Sequence, residues 1–259
     1  MAKCLAGNAL HLLLLAISGT MLTAAACVAS AQVAPLAPKW LAGTPIPPVE
    51  TFADGLARHH IELTEAALIA ALQNPDGDVR SLAAAQLAAT DDRPALKAIL
   101  DALDAENDIQ VQVNLAGAAT WIGSQRALDR LQRLCQNLNV PATTRLDAAR
   151  YVSNKELSTC YPMVEQIAQT DHDANVRVLA IMAAVSYRGQ GEKAQALTVS
   201  ALSDSDPIVR IAAAEALRFM HATGALGALR HALEIDGDDT VRQYMREAIR
   251  ILSAPEKTP

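Results

Sequence analysis

The sequence predicts an all-α protein, an α-solenoid of about six helix pairs, from three observations. Hydrophobic residues make up 51% of the 259 residues but aromatic residues only 3%, because alanine and leucine supply most of the apolar surface. Alanine-rich helices pack closely, and with few rings to fill one deep core a thin stack of helix pairs fits this composition. A basic or amide residue recurs at a nearly fixed interval along the chain, and an aspartate precedes most of its copies by four positions.

The repeat is defined by the residue that follows a β-branched residue in each unit, which we call the anchor. The six anchors are Arg80, Gln112, Arg145, Arg177, Arg210 and Arg242. Successive anchors are separated by about 32 residues, and no interval differs from another by more than a single position. A constant period of this length is typical of stacked helix pairs.

Each unit carries signals for two helices. Aspartate caps the start of a helix by accepting backbone N–H groups, and the residues four positions before the anchors are Asp76, Asp108, Pro141, Asp173, Asp206 and Asp238. In the third unit, which lacks the aspartate, Asn139 is the alternative cap. Upstream of the caps the apolar spacing predicts a partner helix, for example over 94–103, 125–135, 193–202 and 225–233.

The ends of the chain differ from the repeats. Residues 1–31 are typical of a secretory signal, with Lys3, an apolar stretch over 12–17 and the small residues 29–31 before Gln32. We expect cleavage after Ala31, a Pro-rich extended lead-in over 32–55, the solenoid over 56–253 and a tail over 254–259. Trp40 and Phe52 in the lead-in either staple it to the first helices or form an exposed docking motif.

The predicted location is the periplasm or another exported compartment. Lipid attachment at Cys27 is disfavoured because Ala24 stands where the lipidation signal prefers leucine. No second long apolar run follows Gln32, so we expect no integral membrane span in the mature chain. Lys3 is the only charged residue of the signal, so the mature chain keeps 21 Lys and Arg against 28 Asp and Glu, a net charge of −7. With no basic cluster, nucleic acid is excluded as the expected partner.

The stretch Asp204 to Leu217, DSDPIVRIAAAEAL, resembles the HEAT-like repeat of phycobilisome lyases and bacterial scaffold proteins. The stretch Asn74 to Leu87, NPDGDVRSLAAAQL, is similar to it. The resemblance covers about six units, from 62 to 253, and together with the secretory signal it indicates an exported bacterial member of that family. It also implies that the aspartates and arginines form a ladder between adjacent repeats, so that the anchors are structural and not catalytic.

The sequence offers no pattern for catalysis, a metal or a cofactor. One HEAT-like family, deoxyhypusine hydroxylase, holds iron with His-Glu dipeptides, and none occurs in this sequence. His59, His60 and Glu62 come nearest, at the entry to the first helix and without a second copy, so we interpret them as a surface helix end. A nucleophile elbow and a phosphate-binding glycine run are also lacking.

The two cysteines of the mature chain, Cys135 and Cys160, are predicted to be free thiols. Relative to their anchors they are offset by seven positions on neighbouring parallel helices, about 10 Å along the axis. A disulfide needs Cα atoms within about 7 Å of each other. The connection over 152–159 leaves open a shift of this register.

A candidate binding surface follows from the anchor-bearing helices. Positions one, five and eight after the anchor lie opposite the core-facing positions on a helical wheel and should line the concave side. Several of them are apolar, which suggests a groove for an extended or helical peptide, bordered by charges at its C-terminal end. The predicted contacts are Val113, Leu146, Arg150, Val178, Met182, Val185, Ile211, Glu215 and Arg218. The alternative is that superhelical curvature buries these residues between repeats.

We therefore expect a non-catalytic protein-binding scaffold of the bacterial envelope or periplasm, with no cofactor and a protein partner of unknown identity. The rival interpretation is a lyase-like or cofactor-handling enzyme factor built on the same repeats, which needs a polar pocket. A purely structural spacer is a third interpretation, and it predicts no stable partner.

Overall fold

The computed structural model describes residues 51–91, 93–155 and 157–254, apart from the side chain of Arg188. The described residues from Phe52 to Ala254 belong to one compact unit. The described residues contain α-helices, two short 3₁₀ turns and no strand, which confirms the all-α solenoid of helix pairs. The predicted signal, Cys27 and Trp40 lie outside the described residues.

One helix precedes the repeats, and each unit then contributes a first and a second helix. The helices in chain order are α1 (Phe52–Arg58), α2 (Glu65–Ala71), α3 (Gly77–Ala89), α4 (Leu96–Ala105), α5 (Ile109–Trp121), α6 (Gln125–Gln136), α7 (Ala142–Ser153), α8 (Tyr161–Thr170), α9 (Ala174–Val185), α10 (Gly191–Ala201), α11 (Pro207–Phe219), α12 (Leu226–Ile235) and α13 (Asp239–Leu252). Units 1 to 6 are the successive pairs from α2–α3 to α12–α13. The helices predicted upstream of the caps agree with α4, α6, α10 and α12 to within two residues. The chain is already helical at Phe52, inside the predicted lead-in, and Phe52 is exposed.

The second helices begin where the aspartates predict. Asp108, for example, accepts hydrogen bonds from the backbone N–H of Gln110 at 2.8 Å and of Val111 at 3.1 Å. Asp76, Asp173, Asp206 and Asp238 cap their helices in the same way. The third unit differs, because α7 follows Pro141 without a side-chain cap, and Asn139 does not take that role.

Several helices end in a left-handed residue that turns the chain sharply. His60, Asp91, His221 and Gly123 all have positive φ just beyond a helix. After α1 the turn is closed by the N–H of Ile61, which donates to the carbonyl of Leu56 at 3.1 Å. His59 and His60 therefore form an exposed helix end, as the sequence indicates.

The second helices pack directly on one another along the stack, whereas the first helices contact each other much less. Small residues after the anchor allow this approach, since Ala83, Ala84, Ala213 and Ala214 are fully buried. Gly117 in α5 lies under the ring of Tyr151 in α7, and an added Cβ there would fall 2.4 Å from that ring. The second helices therefore form the inner layer of the solenoid.

Anchor arginines form a ladder between repeats, as the resemblance implies, and their acidic partners are not the capping aspartates. Arg210 donates to the carbonyl oxygen of Asp204 at 2.9 Å, inside its own unit. It also pairs with the carboxylate of Asp236 at 2.7 Å, in the next unit. The partner therefore stands two residues before the capping aspartate, and its Oδ1 accepts the N–H of Asp238 at 2.9 Å.

We call this arrangement the polar staple, an arginine that joins its own turn to an acid of the next unit. It recurs between Arg80 and Glu106 at 2.7 Å and between Arg177 and Asp204 at 2.7 Å. Gln112 keeps half of it, by donating to the carbonyl of Glu106 at 2.8 Å and accepting from Arg130 of unit 3 at 2.9 Å. Arg80, Gln112, Arg177 and Arg210 are thus held by structural bonds.

The cysteines are not free thiols, and the prediction that they are is wrong. Cys135 and Cys160 form a disulfide, with their Cα atoms 5.9 Å apart. The predicted register extrapolates from the anchors of the second helices, but α8 begins only at Tyr161, after the connection 154–160. That connection lies beside α6, where Thr159 accepts a hydrogen bond from Gln132 at 3.1 Å, and it brings Cys160 to the last turn of α6.

No helix within the described ranges is long and apolar enough to cross a bilayer.

Non-reducing peptide mapping of the oxidised protein should recover the peptides of Cys135 and Cys160 as one linked species. By loop entropy, a bridge across 25 residues contributes about 3 kcal/mol to the free energy of unfolding. Recovery of both cysteines as alkylated thiols from protein never exposed to reductant would contradict the bridge.

Replacing Arg210 by Gln should lower the free energy of unfolding by about 2 kcal/mol, because Asp236 then loses a charged hydrogen-bond partner. The hydrogen bond from Arg210 lowers the pKa of Asp236, so the staple stabilises the fold above the unfolded pKa of about 4 and loses its effect as the pH falls below it. Urea unfolding at pH 7 and pH 3 measures this, and the difference between wild type and variant should shrink at pH 3. Arg126→Gln, which breaks an exposed pair with Asp104, is the matched control and should leave stability unchanged. Equal losses for both variants would show that the staple has no special role.

Candidate protein-binding surface

The apolar residues predicted to line the groove are Val113, Leu146, Val178, Met182, Val185 and Ile211, which we call the apolar stripe. The expectation that they are exposed is wrong for four of them. Val178 and Met182 in α9 are 6% and 2% exposed, and Val113 and Leu146 are buried as well. Val185, Ile211, Arg150, Glu215 and Arg218 keep partial exposure. The alternative of burial between repeats therefore holds for the central units.

The neighbouring second helix causes this burial. Ser81, one residue after its anchor, accepts a hydrogen bond from Asn114 of the next unit at 3.2 Å. Gly117, five residues after its anchor, lies under Tyr151 of the next unit. These positions thus face the following repeat. A helical wheel describes one helix alone, so it cannot show that the next repeat covers them.

The side of the second helices that remains open to solvent is centred about 180° around the helix from the anchor. The residue nine positions after the anchor lies at this angle. We define the free face as the exposed and half-exposed residues of the second helices on that side. Its members include Gln110, Asn114, Trp121, Thr143, Asp147, Arg150, Asn175, Leu179, Val185, Ile208, Ile211, Glu215, Arg218, Phe219, Tyr244, Glu247, Arg250 and Ile251.

A hydrogen-bonded network joins units 2 and 3 on the free face. The amide of Gln110 donates to Asp147 at 3.0 Å, and its oxygen accepts from the hydroxyl of Thr144 at 2.8 Å. Arg150 pairs with Asp147 at 3.5 Å and lies 5.7 Å from the centre of the Tyr151 ring. Burial raises the pKa of Tyr151 although the charge of Arg150 opposes the shift, so the phenol stays neutral at physiological pH. Arg150 is thereby fixed at the surface by a carboxylate and a ring.

Ion pairs occupy equivalent positions in units 5 and 6. Arg218 pairs with Glu215 at 2.6 Å, and Arg250 pairs with Glu247 at 2.5 Å. The bond from Arg250, together with the nearby charge of Arg218, lowers the pKa of Glu247. Burial and the charge of Glu215 raise the pKa of Tyr244. The free face therefore carries paired charges of both signs and no excess of basic residues.

Trp121 is the largest apolar side chain on the free face, and sequence reasoning missed it. It lies at the C-terminal end of α5, nine residues after Gln112, and is 50% exposed. The available signal was its rarity, since the whole chain contains two tryptophans. Other exposed large apolar residues, Leu138, Ile208 and Ile235, stand at or beside the turns between first and second helices.

The described residues contain no group of three or more His, Cys, Asp or Glu side chains that could hold a metal. His172, His221 and His231 are exposed and separate in the chain. Cys135 is bound in the disulfide. The free face presents ion pairs, amides and an aromatic ring.

Val178→Asp and Met182→Asp should each lower the free energy of unfolding by about 3 kcal/mol, as Ala180→Asp should, because an unpaired carboxylate is then buried between repeats. Thermal unfolding followed by circular dichroism measures this. Gln243→Asp is the matched control, since Gln243 holds the position of Val178 in unit 6, where no further described unit covers it. A melting temperature of Val178→Asp close to that of Gln243→Asp would mean that α9 opens to solvent at this position.

Comparison with known proteins agrees with this architecture. HEAT repeats match residues 65–151 and 161–250, more than half of the chain. The two matched segments meet at the connection between units 3 and 4. No curated protein matches the sequence. The chain belongs to the HEAT repeat family.

Proposed function

We propose that the chain is a non-catalytic scaffold of the bacterial envelope or periplasm that binds a segment of another protein along the free face. HEAT repeats are typical protein-interaction scaffolds, and stacked helical repeats offer extended inner surfaces for this purpose. The proposed binding surface contains both charged and apolar side chains. The four buried residues of the apolar stripe contribute only to the packing of the helices that bear this surface.

The half-exposed ring of Trp121 carries the proposal. Tryptophan, tyrosine and arginine are enriched among the residues that contribute most of the binding energy at protein interfaces, and tryptophan buries a large area at the cost of only two rotatable bonds. Aromatic residues make up only 3% of the chain, and Tyr161 and Tyr187 are buried, whereas Trp121 is 50% exposed. A tryptophan that leaves half of its surface in water on the inner layer is therefore a candidate anchor for a partner.

The ion pairs suggest the chemistry of the bound segment. Asp147 with Arg150 and Glu215 with Arg218 present a carboxylate and a guanidinium in fixed order. A segment that carries charges of both signs can form ion pairs with these side chains while one of its apolar side chains covers Trp121. Val185 and Ile211 add apolar surface between the two pairs. Such pairs contribute to specificity more than to affinity.

Two features support an exported location. Residues 1–31 are typical of a secretory signal, and disulfides persist mainly in oxidising compartments. The buried Cys135–Cys160 bridge fits that environment. The resemblance to phycobilisome-lyase repeats supports the rival proposal of a lyase-like factor, and the experiment below distinguishes the two.

Photocrosslinking in cells tests the proposal. A photoreactive residue at Trp121 should capture a discrete protein, whereas the same residue at Gln166, exposed on first helix α8, should not. Once the captured protein is purified, Trp121→Ala should weaken its binding by about ten-fold or more, with an unchanged melting temperature. Leu138→Ala, at a turn residue that is 79% exposed, is the matched control for loss of apolar surface and should bind normally.

Equal crosslinking from Trp121 and Gln166, or equal binding by the Trp121 and Leu138 variants, would refute the assignment of the free face. A chromophore or metal that copurifies with the exported chain in stoichiometric amount would favour the lyase-like factor.

A further inference from the structure

The junction between units 3 and 4 lacks the polar staple that joins other units. Arg80, Arg177 and Arg210 each pair with an acid 26 or 27 residues ahead. By that spacing Arg145 should pair with Asp171, but these two described residues form no ion pair. The Nε of Arg145 is buried and has no hydrogen-bond partner among the described residues. The carboxylate of Asp171 instead accepts the backbone N–H of Asp173 at 3.0 Å.

The same junction departs from the repeat in two other respects. Helix α7 begins after Pro141 with no side-chain cap, unlike the second helices of the other units. The connection 154–160 between α7 and α8 has seven residues, one more than the six of 90–95 and 220–225 and four more than the three of 122–124. Both departures remove local restraints on α7 and on the start of α8.

The disulfide lies at this junction. It joins the last turn of α6 in unit 3 to the residue before α8 in unit 4, and both cysteines are fully buried. The chain segment that it closes contains the whole of α7. Across the same junction the hydroxyl of Tyr187 in unit 4 donates to the carbonyl of Ala149 in α7 at 2.8 Å. Together these contacts connect the two halves that match HEAT repeats separately.

We propose that the Cys135–Cys160 disulfide is a redox latch, which replaces the polar staple between units 3 and 4 and holds the two halves of the solenoid in register. Reduction by a dithiol transfers two electrons and two protons to the Sγ atoms, and the dithiol becomes a disulfide. After reduction, α7 has no side-chain cap and no polar staple, and no disulfide closes the segment that contains it. The loosening is confined to this junction, because the staples of the other units are unaffected.

Hydrogen exchange of backbone amides tests the latch on the full chain, oxidised and after complete reduction with dithiothreitol. The amides of α7 and of 157–165 should exchange about ten-fold faster or more in the reduced protein. The amides of α11, between two intact units, should change less than two-fold, about the resolution of the comparison. Thiol alkylation and mass spectrometry verify that reduction is complete.

Two variants sharpen the test. Cys135→Ala with Cys160→Ala should reproduce the exchange pattern of the reduced protein without any reductant. Arg177→Gln, which removes the staple between units 4 and 5, should accelerate exchange in α9 and α10 while α7 keeps its oxidised rate. Faster exchange throughout the protein after reduction, or no faster exchange in α7, would overturn the latch. If the double alanine variant fails to fold, the reduced wild-type protein alone decides the test.

Discussion

The direct packing of one second helix on the next is the constraint on which the rest of the structure depends. A helix pair of this size cannot bury its own apolar surface, so each unit needs the next one. The alanines after the anchors and Gly117 under Tyr151 bring the helix axes close together. Close approach then covers Val113, Leu146, Val178 and Met182, and only the side that points away from both neighbours stays open.

The turns control how successive units are oriented. Asp236 illustrates the arrangement, because one carboxylate accepts the N–H of Asp238 and binds Arg210 of the preceding unit. The turn that leads into the capped helix therefore also supplies the contact between units. Because the arginine also binds the carbonyl of its own turn, displacement of one unit against the next breaks several bonds together. Where the staple is present, this coupling resists a shift of one unit against the next.

The stability of a stack built from nearest-neighbour contacts is approximately a sum of repeat and interface terms, so a weakly held junction opens more readily than the rest. Between units 3 and 4 the sequence supplies proline at the cap position and a longer connection, and the cysteines supply a covalent bond in place of the staple. The free face crosses this junction, with Trp121 and Arg150 on one side and Glu215 on the other. Binding along the free face would therefore depend on how the two halves are held.

The sequence by itself determined the helix pairs, the approximate bounds of their helices and most of the aspartate caps, because these depend on residues close together in the chain or on one fixed period. It could not identify Glu106, Asp204 and Asp236 as the acids of the ladder, since their role arises from an arginine in the preceding unit, far away along the chain. The tertiary structure alone decided which side of the second helices is open. A helical wheel places Val178 on the surface of one helix, but the packing of the neighbouring unit decides its exposure, and the same packing leaves Trp121 in water. The disulfide was likewise decided by the course of 154–160, because a connection without periodicity gives no register from which the position of Cys160 can be calculated.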